Sequence, residues 1–349
     1  MLSAHFNLNR YLFVCKVNAS IVWLPVFPSL EFSLVLGTAI AERLPTVQAR
    51  QWRKTLALWD DCIGGISKGA CHRGACHRQA PTQNRQAPRT PNPEPRTLVL
   101  PESSPWPIDA AVLFYPGKRA YGRDELIFWE LKLMGESADH GLFLELILPA
   151  LEEAGSIRDS RWEYNNCLWG RFDIHSVFMA KGPRWEPVVS NGHLNLKYKA
   201  GPRQWSRGLK FESPRPPSHF DCLNWITAFD LDRNDSDIGS SPSLRTILDV
   251  LTDRLARLIL GNYYEPDDFW RELKPKDRSD FRKALEMSSE ISVLQEDMKL
   301  VPAYLPGRQI GKQIFREPLP DAVLPYLGLA SVFHIGKHTH FGCGTFLLN

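Results

Sequence analysis

Residues 324–348 read LPYLGLASVFHIGKHTHFGCGTFLL, and this stretch constrains the fold more than any other. An apolar run from Leu324 to Phe333 leads into a segment carrying Gly336, Gly342 and Gly344, and apolar residues resume at Phe346, Leu347 and Leu348. The pattern predicts a helix, a glycine-rich loop and a closing strand. Glycine allows positive φ and the close approach of a second backbone. Lys337, His338 and His340 within such a loop suit a phosphate-rich ligand. The same residues also fit a tight turn with solvated charges.

The chain has 349 residues, enough for two domains with ample cores. Lys plus Arg number 42 and Asp plus Glu 39, for a net charge of +3. So small an excess does not argue for nucleic acid, and any electrostatic case rests on local clusters. The 7 cysteines are irregularly spaced, which speaks against a disulfide framework and for a reducing cytoplasm. No secretory leader is expected, and the longest apolar run, Phe32 to Ala41, falls short of the roughly 20 residues a membrane span needs.

From the N-terminal side, Arg10 to Leu24 has strand character, ended by Pro25 and Pro28. Ser29 is placed to cap a helix with an apolar face of Leu30, Leu34, Ala41 and Leu44, stopped at Pro45. Cys62, Cys71 and Cys76 with His72 and His77 follow. Zinc would need four converging Cys or His ligands, and this spacing matches no standard finger, so the preferred reading is uncoordinated thiols and no metal. Residues 78–107 are dense in Pro, Arg, Gln, Asn and Thr and read as a disordered insertion with too little apolar surface to offset its ordering entropy. Strands are expected at Ala110–Tyr115, Glu125–Met134 and Cys167–Met179, with a helix at Asp139–Ala154 closed by Gly155. With the first segment this completes a β-α-β-β-α-β unit.

Beyond Pro183, strands are expected at Val188–Tyr198 and Leu209–Phe211. Arg203, Arg207 and Lys210 interleave with Trp205 and Phe211, which suits single-stranded RNA or, equally, an exposed hairpin with solvated arginines. Ser243 caps a helix from Leu244 to Leu260 whose outer face, with Arg245, Arg254 and Arg257, reads as solvated. A helix at Ser279–Ser289, a strand at Ile291–Val301 and a hairpin around Gly307 and Gly311, with Arg308 and Lys312, precede the final stretch.

The string Gly336-Lys337, Phe341-Gly342-x-Gly344, directly behind an apolar helix, resembles the C-terminal glycine-rich loop of the RAMP superfamily, in particular the CRISPR repeat-processing endoribonucleases. Further resemblances are the run from Phe128 to Phe143, Gly208 to Pro216 with its Ser213-Pro214 step, and the strand, "LP-x-x-P-S-L" and helix around Leu24 to Leu30. At that last site the family's usual basic residue is replaced by Glu31. The resemblance implies an α+β fold of two tandem ferredoxin-like (RRM-like) domains, at 1–182 and 183–349, the disordered insertion lying in the first. It implies metal-independent cleavage of CRISPR repeat RNA, no cofactor, and CRISPR repeat or guide RNA and other CRISPR effector subunits as partners. The alternative is a non-catalytic RAMP subunit that holds guide RNA.

Such cleavage uses the 2′-hydroxyl as nucleophile and needs a general base, a cation for the phosphorane and a general acid. Histidine suits the proton transfers. Relatives often carry a histidine near the first helix; none lies between Val14 and Leu58 here. The candidates are therefore His5, His72, His77, His338 and His340, and the candidate RNA contacts are Gly336, Lys337, Gly342, Gly344, Arg308, Lys312, Arg203, Arg207 and Lys210.

Overall fold

The structure is a computed structural model that describes residues 2–62, 100–115, 117–209, 221–231, 240–261 and 266–349. In strand β1, Leu8–Val17, the alternate side chains Tyr11, Phe13, Cys15 and Val17 are buried, as the period of a half-buried strand requires. A short β2, Ile21–Trp23, precedes helix α1, Pro28–Arg43. The expected Ser29 cap is not made: the N-cap is Phe27, without a side-chain cap, and Ser29 lies inside the first turn. Pro28 starts the helix instead, because its fixed φ and missing N–H suit the first helical position. Helix α2, Thr46–Ala57, follows from Pro45.

Strands β3, Ala110–Phe114, and β5, Leu126–Met134, bracket the short β4, Ala120–Gly122, which pairs with β2. Helix α3 runs through His140–Leu142, a π-helical turn at Phe143–Ile147, and Leu148–Ser156. Strand β6, Phe172–Lys181, closes the unit. The antiparallel order β3-β5-β1-β6 is that of a ferredoxin-like β-α-β-β-α-β sheet. The strand expected from Cys167 begins only at Phe172, because Gly170 turns the chain at φ +66°. The single strand expected at Val188–Tyr198 is a hairpin of β7, Arg184–Ser190, and β8, His193–Leu194, turned at Asn191-Gly192 with φ of +50° and +76°. Both strands extend the first sheet to six, so residues 184–194, assigned by sequence to the second unit, pair with the first.

The second unit repeats the topology. Strand β9, Cys222–Trp225, is followed by α4, Leu244–Leu260, whose Ser243 cap accepts from the Thr246 N–H as expected. Helices α5, Pro266–Glu272, and α6, Pro275–Ser288, lead to β10, Val293–Leu300, and β11, Gln309–Phe315. Helix α7, Leu324–Phe333, and β12, Phe346–Leu348, finish the chain. The antiparallel order β10-β11-β9-β12 is again ferredoxin-like, so the expected tandem α+β architecture is present.

The two cores interlock at their boundary. Phe6 and Leu8, from the start of the chain, belong to the second core, where Phe6 meets Phe333 edge-on at 5.3 Å. Phe341, from the glycine-rich loop, belongs to the first core and meets Trp59 at 5.1 Å. The expected insertion at 78–107 is corrected at its end. Leu100 and Trp106 are buried, and the Trp106 indole donates to the Ser33 carbonyl at 2.8 Å. A tryptophan closing a polar run supplies enough apolar area to dock it; residues 78–99 lie outside the described residues. No helix among the described residues is long and apolar enough to cross a membrane.

Candidate nucleic-acid interface

The loop after α7 is fixed by its backbone. His334 leaves the helix at φ +57°, Ile335 N–H donates to Gly344 O at 3.1 Å, and Lys337 N–H donates to Asp230 O at 2.7 Å. Gly344 sits at φ +77°, where a Cβ would stand 1.9 Å from Ile335 O. At Gly342, also at φ +77°, a Cβ would stand 2.8 Å from Val112 O of β3 in the first unit. Only glycine permits these approaches, and they bring the loop against both units.

Beside the loop a cleft of about 840 Å³ opens between the units. One wall is the segment from Glu102 to Ala110; the other is the last turns of α4, with Asp253, Arg254 and Arg257; the loop residues from Gly336 to Phe341 lie between. Lys337 Nζ is 2.7 Å from Glu102 Oε1, and Arg254 Nη1 is 3.5 Å from Asp109 Oδ1. Arg254, read from sequence as part of a solvated face, is largely buried; Arg257 is exposed. This correction follows from packing: α4 lies against the first unit, and Arg254 Nη2 reaches Met134 Sδ at 3.5 Å.

The candidate histidines have distinct surroundings. His5 pairs with Asp277 of the second unit at 3.1 Å. His338, at φ +57° and half-buried on the cleft, accepts from the Gly307 N–H through Nδ1 at 3.2 Å. Burial lowers its pKa, partly opposed by Asp230. His340 is buried against Trp106, with ring centroids 4.9 Å apart, and neither ring nitrogen has a partner of good geometry. Burial pushes its pKa down to about 3, against a weak opposing influence of the Ala110 backbone. His72 and His77 lie outside the described residues, as do Cys71 and Cys76 of the weighed zinc set; Cys62 is buried.

Of the candidate RNA contacts, Gly336 and Lys337 line the cleft. Arg308 lies beside it: its N–H donates to Phe229 O at 2.9 Å, next to the Gly307 that meets His338. Lys312 is exposed on β11, opposite Asn224 of β9 and Asp297 of β10. Arg203 and Arg207 are exposed, but Arg203 reaches Asn7 at 3.3 Å and neither lines the cleft. Lys210 is outside the described residues.

Sequence reading missed Arg254, Arg257, Glu102 and Asp109, and the pair His334 and Lys132 behind the loop. His334 is fully buried; Nδ1 donates toward Gly342 O and Cys343 O, both at 3.1 Å, so Nε2 accepts from Lys132 Nζ at 2.8 Å. Lys132 also donates to Val332 O at 2.7 Å. Burial pushes the Lys132 ammonium down to about 7, opposed by Glu130. Burial works to raise the Glu130 carboxyl, but Arg10, at 2.6 Å, and Lys132 outweigh it and bring it down to about 2. An i, i+3 arginine pair, and a glutamate and a lysine two residues apart in an otherwise apolar strand, were the available signals.

No protein-family model matches the chain, and no curated protein matches it. Among solved structures, a partial Cas6-RT-Cas1–Cas2 complex is similar with a TM-score of 0.48 and 10% identity over 99% of this chain and 46% of that one. The chain thus spans about half the length of that chain, and 29% of the chain from a second such complex. Cas6 from Thermus thermophilus gives 0.42 with 12% identity over 99% of both chains. A Cas6 product complex gives 0.39 with 15% identity over 98% of this chain and 99% of that one. The solved chains named here to which this one is similar are therefore Cas6 proteins or carry Cas6.

Proposed function

We propose that this chain binds CRISPR repeat RNA in the cleft between its two ferredoxin-like units and cleaves it. The observation that carries the reading is the glycine-rich loop. Its sequence is the string that resembles the repeat-processing endoribonucleases, and its glycines let Lys337 and His338 stand on the wall of a cleft between the units. Lysine and arginine on a cleft wall suit phosphate contact, which positions RNA without reading its sequence. Lys337 and Arg257 would make such contacts, with Arg308 and Lys312 extending them across the second unit.

The proposed chemistry is attack by the 2′-hydroxyl on the adjacent phosphate, with departure of the 5′-oxygen. A cation such as Lys337 stabilises the phosphorane. Of the described histidines among the candidates, His338 stands best for phosphate positioning: it lines the cleft, and with Nδ1 accepting from the Gly307 N–H its neutral ring carries its proton on Nε2, as a donor rather than a base. Incubation with the repeat RNA of its own CRISPR array in EDTA tests the reading; a product ending in a 2′,3′-cyclic phosphate is expected, and intact RNA contradicts cleavage. A second reading, an RNA-holding subunit without cleavage, is favoured by the burial of His340 and His334. Tight binding of the same RNA without scission would select it.

A further inference from the structure

We propose that the segment from Pro101 to Asp109 is an internal acidic occupant of the cleft, with Glu102 holding on Lys337 the place that an RNA phosphate takes. The inference rests on the reading that the cleft binds RNA, and concerns its regulation.

The segment runs along one wall of the cleft between two kinds of anchor. At one end Leu100 is buried. At the other Trp106 is buried, its indole bonded to Ser33 O at 2.8 Å, and Thr55 Oγ1 donates to Pro105 O at 2.8 Å. The segment ends where Met134 N–H donates to Asp109 O at 2.9 Å and Asp109 N–H donates to Ser137 Oγ at 3.1 Å. Two carboxylates of this one segment meet two cations of the second unit: Glu102 on Lys337 at 2.7 Å and Asp109 on Arg254 at 3.5 Å.

The two pairs differ in how easily they part. Asp109 is held by its own backbone bonds, and Arg254 is largely buried. Glu102 is 73% exposed and lies on the stretch between the anchors. A solvent-exposed ion pair is weak and easily exchanged. A carboxylate and a phosphate offer the same anionic oxygens to an ammonium, so an RNA strand carrying several phosphates displaces one glutamate and gains counterion release as well. An anion that makes a single contact lacks that gain, and Glu102 holds it off. The segment thereby sets a threshold on what enters the cleft.

The test is a binding titration of the chain's own repeat RNA against the parental protein, Glu102→Gln, Lys337→Ala and the double variant, at low and moderate salt. Glutamine keeps the size of residue 102 and removes its charge. Glu102→Gln is expected to bind about two- to five-fold tighter. The gain should shrink as salt rises and vanish when Lys337 is alanine. If Lys337→Ala weakens binding while Glu102→Gln leaves it unchanged, Glu102 does not compete and the inference falls, with RNA binding in the cleft intact. If none of the four proteins binds the RNA, the inference falls together with the reading beneath it.

Discussion

Lys132 of the first unit donates from Nζ to Nε2 of His334 in the second, across 2.8 Å, at the C-terminal end of the helix that launches the glycine-rich loop. The pair ties the loop's base to the first sheet, and it makes stability depend on pH. Burial holds the Lys132 ammonium down at about 7, below the ordinary lysine value of roughly 10.4. Between these values the unfolded chain binds the proton more readily than the folded one, so the unfolding free energy should rise with pH from about 7 to about 10. Urea melts of the parental chain and Lys132→Met across that window check this: the variant should show a shallower rise. Equal slopes would mean that Lys132 titrates as it does in water.

Replacing His340 should stabilise the fold. Its two ring nitrogens are buried without partners of good geometry, and its neighbours are aromatic. His340→Phe removes a desolvation cost of roughly 1–3 kcal/mol, part of which is returned as strain. The folded pKa of about 3 lies below the unfolded value, so the parental chain loses stability as pH falls from about 6.5 toward 3, and the variant should lose less. Cleavage by a folded His340→Phe protein should match the parental rate. A fall of roughly 10²-fold or more at saturating protein would instead make His340 a proton-transfer residue.

Trp106→Ala should cost about 3–5 kcal/mol in urea denaturation, because it empties a buried aromatic site and removes the indole bond to Ser33 O. A loss below about 1 kcal/mol would show that the segment is not docked as described.

Lys337→Ala should weaken RNA binding and reduce the slope of log affinity against log salt by about 0.9, the share of one phosphate contact on duplex, or about 0.7 on a single strand. An unchanged slope would remove Lys337 from the interface.

Much of this fold is legible because its signals are local. The glycine spacing behind Leu324–Phe333, the Ser243 cap and the strand periods each report a neighbourhood of a few residues. The Asn191-Gly192 turn was equally local, and the hairpin is a signal passed over. The cleft was less legible, because its partners are far apart in sequence. Lys337 meets Glu102, and Arg254 meets Asp109, across separations that no periodicity encodes. A histidine that sequence offers as a catalyst, such as His340, is revealed as a core residue only by the aromatic rings that cover it.

The most direct measurement is single-turnover cleavage of the chain's own repeat RNA in EDTA, with the intact substrate compared with one carrying a 2′-deoxy nucleotide at the cut site. Attack by the 2′-hydroxyl requires scission of the first, with a 2′,3′-cyclic phosphate at the product end, and survival of the second. Equal scission of both would contradict that chemistry, and survival of both would leave an RNA-holding protein in place of a nuclease.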